Sequence, residues 1–157
     1  IDGLSIKGDV AVTDSEGGDA NGDDGVAANV GAKYTIGQVS LGYVEGGYQP
    51  ATGATANDET IYYENTFMGI QFDVNDAVSV SYNVDESVRN TRSAVAQGGA
   101  AGAKGTKATV AMEQETLQLA YTVGGATIGI ADIEVTNSDY TAGKTETQTV
   151  VSLGISF

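Results

Sequence analysis

The amino-acid sequence predicts an all-β fold: an antiparallel up-and-down sheet of about eight strands, of the kind that closes into a transmembrane β-barrel. Three observations lead there. Apolar residues alternate with small or polar ones along most of the chain, helical spacing is almost absent, and tight two-residue turns alternate strictly with long polar connections.

Leu4, Ile6, Val10 and Val12 open the pattern, with Ser5, Lys7, Asp9 and Ala11 on the other phase. Val26 to Ile36 and Val39 to Val44 continue it, and Gly37-Gln38 separates them as a hairpin turn. Met68, Ile70, Phe72 and Val74 lead through Asn75-Asp76 to Val78, Val80, Tyr82 and Val84. Leu117, Leu119, Tyr121 and Val123 lead through Gly124-Gly125 to Ile128 and Ile130. There the phase slips, because Ile133 and Val135 have the opposite parity, and the slip predicts a β-bulge near Ala131 and Asp132. "QTVVSLGISF" closes the chain with Val151, Leu153, Ile155 and Phe157 on one phase.

Between the tight turns lie "DSEGGDANGDDG", "QPATGATANDET", "SVRNTRSAVAQGGAAGAKGTK" and "NSDYTAGKTETQ". In a meander, alternate connections fall at opposite ends of the sheet, so one end is trim and the other carries all the long loops. Outer-membrane barrels have that asymmetry, with short periplasmic turns and long extracellular loops. Tyr34, Phe72 and Tyr121 precede tight turns and Phe157 ends the last strand, so these four aromatics are expected to be membrane-interface anchors at one level. Tyr48, Tyr62, Tyr63 and Tyr140 are expected to form a second belt near the long loops.

Composition narrows the function classes. With 21 acidic and 7 basic residues the formal charge is −14, which disfavours nucleic acid as a partner. The chain has no His and no Cys, so imidazole and thiolate chemistry are absent, and no carboxylate pair can be argued into acid–base geometry; no enzyme is expected. Residues 1–157 read as a single barrel segment without separate domains, and an opening at Ile1 with neither Met nor a leader-like run points to a processed form or a fragment.

The polar phase gathers Lys7, Asp9, Lys33, Gln71, Asp73, Asp85, Gln118, Glu146 and Gln148, which are expected to line a water-filled lumen. Arg89, Arg92, Lys104 and Lys107 form a basic loop cluster, able to fold inward or to meet lipopolysaccharide phosphates. Asp19, Asn21 and Asp23 open like a Ca²⁺ loop, but Asp24 stands where Gly is needed and Val30 where Glu is needed. Ca²⁺ is thus a candidate ligand there against the alternative of a solvated acidic loop.

The acidic Gly/Ala-rich connections, the run "AANVGAKYTIGQVSLGY" and the Phe-terminated last strand resemble the C-terminal half of alphaproteobacterial general diffusion porins. Phe157 matches the terminal aromatic of that family and Ile155 the hydrophobic residue two places before it, while Ser152 and Val150 depart from the usual Gly and polar residue. The resemblance implies a barrel of about sixteen strands, of which this chain supplies about half. It also implies a homotrimer in the bacterial outer membrane, inserted by the barrel assembly machinery and in contact with outer-membrane lipid and lipopolysaccharide. The function implied is passive diffusion of small hydrophilic solutes and ions, and the acidic balance adds a weak preference for cations. The small residues on the polar phase favour a wide wet lumen over a narrow packed one. Two other readings stay open: a small closed barrel with a structural or surface-recognition role, and a soluble acidic β-sandwich or adhesin.

Overall fold

The computed structural model describes residues 1–13, 24–51, 59–92 and 105–156. Eight strands form one antiparallel sheet in sequence order. They are β1 (Leu4–Thr13), β2 (Gly25–Ile36), β3 (Val39–Gln49), β4 (Glu59–Asn75), β5 (Val78–Arg92), β6 (Lys107–Val123), β7 (Ala126–Thr136) and β8 (Thr145–Ile155). A 3-10 turn, Ser138–Tyr140, lies between β7 and β8. Among the described residues no helix is long and apolar enough to cross a membrane. The sheet is open, since β1 and β8 are not paired with each other.

Each hairpin follows from its local chemistry. Gly124 and Gly125 both have left-handed φ, 55° and 83°, as a tight turn between right-twisted strands demands. Gly37 supplies φ 56° at the β2–β3 turn. The β4–β5 turn falls one residue later than the sequence suggests, on Asp76 and Ala77, and neither has positive φ. Asn75 replaces that conformation with its side chain: its Oδ1 accepts from the backbone amides of Ala77 (2.9 Å) and Val78 (3.0 Å). The extra residue is absorbed by a register shift between Asp73 and Asn75.

No bulge occurs in β7. Its register with β6 and β8 runs unbroken from Ala126 to Thr136, which corrects the expectation of a slip at Ala131 and Asp132. Because side chains alternate strictly along an unbroken strand, Ile133 and Val135 share the face of Gly129 and Ala131. Asp132 and Glu134 share the face of Ile128 and Ile130.

Registered partners lie on one face, so the pairing divides the whole sheet into two. One face carries Leu4, Ile6, Val10, Val12, Val30, Tyr34, Leu41, Ile70, Phe72, Val80, Leu119, Ile128, Ile130, Val151 and Leu153. Among the described residues no hydrophobic side chain is buried, and this face is open: Ile6 is 67% exposed, Val151 71% and Leu153 65%. Among the described residues the sheet is a single layer whose apolar side nothing covers. On the polar face one open depression is bounded by Gln71 of β4, Ser81 of β5, Gln118 of β6, Ala131 of β7 and Ser152 of β8, which marks that face as the concave one.

The ends of the strands are staggered. The row Tyr34–Leu41–Ile70–Tyr82–Leu117–Asp132 lies two residues from the β2–β3 turn, counted to Ile36 or Val39, but six from the β6–β7 turn, counted to Val123 or Ala126. Four residues of drift at about 3.4 Å each, over four strand spacings of about 4.8 Å, tilt the line of turns by about 35° from the perpendicular to the strands.

Candidate pore-lining face

All nine residues expected on a wet face lie on the concave side. Lys7 and Asp9 on β1, Lys33 on β2, Gln71 and Asp73 on β4, Asp85 on β5, Gln118 on β6, and Glu146 and Gln148 on β8 belong to one face by register. Neighbouring polar groups hold several in place: Asn29 Nδ2 donates to Asp9 Oδ2 at 3.2 Å, and Gln71 Nε2 donates to Asp73 Oδ1 at 2.8 Å. Thr35 and Ser40 share a hydroxyl hydrogen bond across the β2–β3 hairpin at 2.9 Å, and Thr122 and Thr127 do so across β6–β7 at 2.8 Å. Glycines let the larger concave-face side chains lie flat. A Cβ on Gly31 would meet Val44 Cγ2 at 2.8 Å, and one on Gly69 would meet Asn83 Oδ1 at 2.5 Å and the Phe67 ring at 3.4 Å. Shallow depressions run along this face, one lined by Lys7, Asp9, Asn29 and Lys33, another by Gln71, Ser81, Gln118 and Ser152.

The basic cluster is divided. Arg89 lies on the concave face, while Arg92 and its register partner Lys107 lie on the opposite face at the long-connection end. Lys104, the Ca²⁺ candidates Asp19, Asn21 and Asp23, and Phe157 lie outside the described residues. With Arg89 included, the concave face carries the cations Lys7, Lys33 and Arg89 against the carboxylates of Asp9, Asp73, Asp85 and Glu146. Most of the described acidity sits elsewhere: Glu45, Glu64, Glu86, Glu113, Glu115, Asp132 and Glu134 share the apolar face, beyond its hydrophobic strip towards the long connections. Tyr82 donates to Glu115 Oε2 at 2.7 Å at the upper margin of that strip.

Tyr34, Phe72 and Tyr121 all stand on the apolar face near the tight turns. The upper tyrosines do not make a matching belt. Only Tyr62 of the expected four is on the apolar face; Tyr48 and Tyr63 are register partners on the concave face, stacked with ring centroids 6.0 Å apart. Tyr140 packs against Tyr63 at 5.7 Å, and the Arg89 guanidinium lies 4.6 Å from the Tyr140 ring centroid. The sequence held one signal for this cluster, the apolar residues Ile133 and Val135 on the polar phase just before the last connection.

Comparison with known protein families, curated proteins and solved structures finds no match for this chain.

Proposed function

We propose that the chain forms part of the wall of an outer-membrane porin that lets small hydrophilic solutes and ions diffuse passively, with a weak preference for cations. The observation that carries this reading is the single-layer sheet with two unlike faces and no buried hydrophobic side chain among the described residues. A soluble protein covers such an apolar face with a second layer of its own chain, whereas lipid covers it in a membrane barrel. The concavity of the polar face and a stagger of about 35° agree with the strand tilt of a closing barrel.

The open edges of β1 and β8 are where further strands of the same barrel would pair, tight turns towards the periplasm and long connections outwards. The hydrophobic strip is not of even height. On β1 and β2 it runs from Leu4 to Val12 and from Val26 to Ile36, but on β7 it ends at Ile130, where Asp132 follows on the same face. That shorter sector suits a neighbouring protomer of a homotrimer better than acyl chains about 25 Å thick. Since carboxylates and cations nearly balance on the concave face, cation preference is small. Full-length protein reconstituted into liposomes tests the reading: iso-osmotic small sugars should swell the vesicles faster than large ones, and vesicles that swell no faster than protein-free controls would contradict it.

A further inference from the structure

The β7–β8 connection does not extend away from the sheet. Asn137, Asp139 and Tyr140 take left-handed φ of 53°, 54° and 55°, a costly choice for residues other than glycine, and the chain turns back over the concave face. Asn137 Nδ2 donates to the Ala111 carbonyl of β6 at 2.8 Å, and its Oδ1 accepts from the Gly143 amide at 2.9 Å. Ser138, 4% exposed, donates to Glu146 Oε2 at 2.8 Å. Tyr140 reaches further, to Ser87 and Arg89 on β5 and to the Tyr63 ring on β4. Beneath this connection the concave face turns apolar, with Val110, Met112, Ile133 and Val135 all half-buried on it. The inverted parity of β7 thus coincides with a patch that the connection partly shields.

We propose, building on the pore reading, that Tyr140 is a size-determining residue of the passage. Carried from β7 across β6 and β5, the connection takes up lumen space at the long-connection end, and the Tyr140 ring holds it against the wall. Solutes near the upper size limit, such as short oligosaccharides, are the class this would exclude.

Two readouts on the full-length protein test it. In planar bilayers, Tyr140→Ala should raise single-channel conductance roughly 1.5-fold and speed sugars near the size limit more than small ones. Separately, a charged water-soluble thiol reagent should label Ser87→Cys slowly, and several-fold faster when Tyr140→Ala is added. Unchanged conductance and size limit in Tyr140→Ala would overturn the size-determining role. Equal labelling of Ser87→Cys with and without Tyr140→Ala would show that the connection does not cover that wall. Parent protein that conducts nothing while the labelling difference persists would remove the pore reading, and the size role with it, but leave the placement of the connection standing.

Discussion

The Tyr140 hydroxyl and Ser87 Oγ share a hydrogen bond at 2.7 Å, although Tyr140 belongs to the connection after β7 and Ser87 lies two strands away on β5. Ser87 Oγ also donates to Asn65 Oδ1 at 2.6 Å, so the bond joins β4, β5 and the last connection. A net contribution of about 1 kcal/mol is typical of such a bond. Tyr140→Phe should therefore lower unfolding stability by about that amount while keeping the ring contacts with Tyr63 and Arg89. A urea unfolding midpoint indistinguishable from the parent would show that the bond adds nothing.

The same connection carries a pH response. Lys144 is ion-paired with Asp139 and with Glu146, the latter at 2.8 Å. The hydrogen bond from Lys144, and then its charge, hold the Asp139 carboxyl below the usual carboxylate range; the bonds to Asp139 and Glu146 hold the Lys144 amine above its own. A lowered acid stabilises the folded connection above its ordinary value of about 3.9, and that contribution is lost as pH falls through the lowered value. The Tyr140 ring resonances should hold their shifts from neutral pH to about pH 4 and move only below it. Movement already complete at pH 5 would contradict the pairing.

The register that joins β5, β6 and β7 fixes which side chains share a face, and thiol labelling reads that out. A membrane-impermeant thiol reagent should label Gln118→Cys readily and Leu119→Cys poorly, because the first stands on the concave face and the second on the apolar one. Ile130→Cys should resemble Leu119→Cys, its register partner. Labelling of Leu119→Cys in preference to Gln118→Cys would reverse the faces.

Turn geometry gives a stability test. Gly125 combines φ 83° with a position where a Cβ would lie 2.9 Å from the Ser156 carbonyl oxygen. Gly125→Val should destabilise the β6–β7 hairpin by at least about 1–2 kcal/mol. An unaltered unfolding midpoint would mean the turn adopts another shape.

Much of the fold was legible because each face meets one environment over most of its area. Where that holds, as at Leu119 and Gln118, parity alone assigns the side. It fails where one face changes its surroundings along a strand. Ile133 and Val135 lie half-buried on the polar face beside the last connection, and Asp132 and Glu134 stand beyond the hydrophobic strip, so the parity change imitates a bulge. Asn75 is a second case: its side chain makes the turn that positive φ makes elsewhere, and this shifts the turn by one residue. The Tyr140 cluster was illegible because its partners Tyr63, Ser87 and Arg89 are brought to it only by the fold.

In the proposed pore, the concave face bounds water that crosses a membrane. Reversal potentials of the full-length protein in a planar bilayer, measured in a KCl gradient, test it most directly. Steady conductance is expected, with a slight cation preference at low salt that fades as screening shortens to a few ångströms, about 3 Å at 1 M. Anion preference at low salt would contradict the charge assignment, and an absence of conductance would contradict the pore itself.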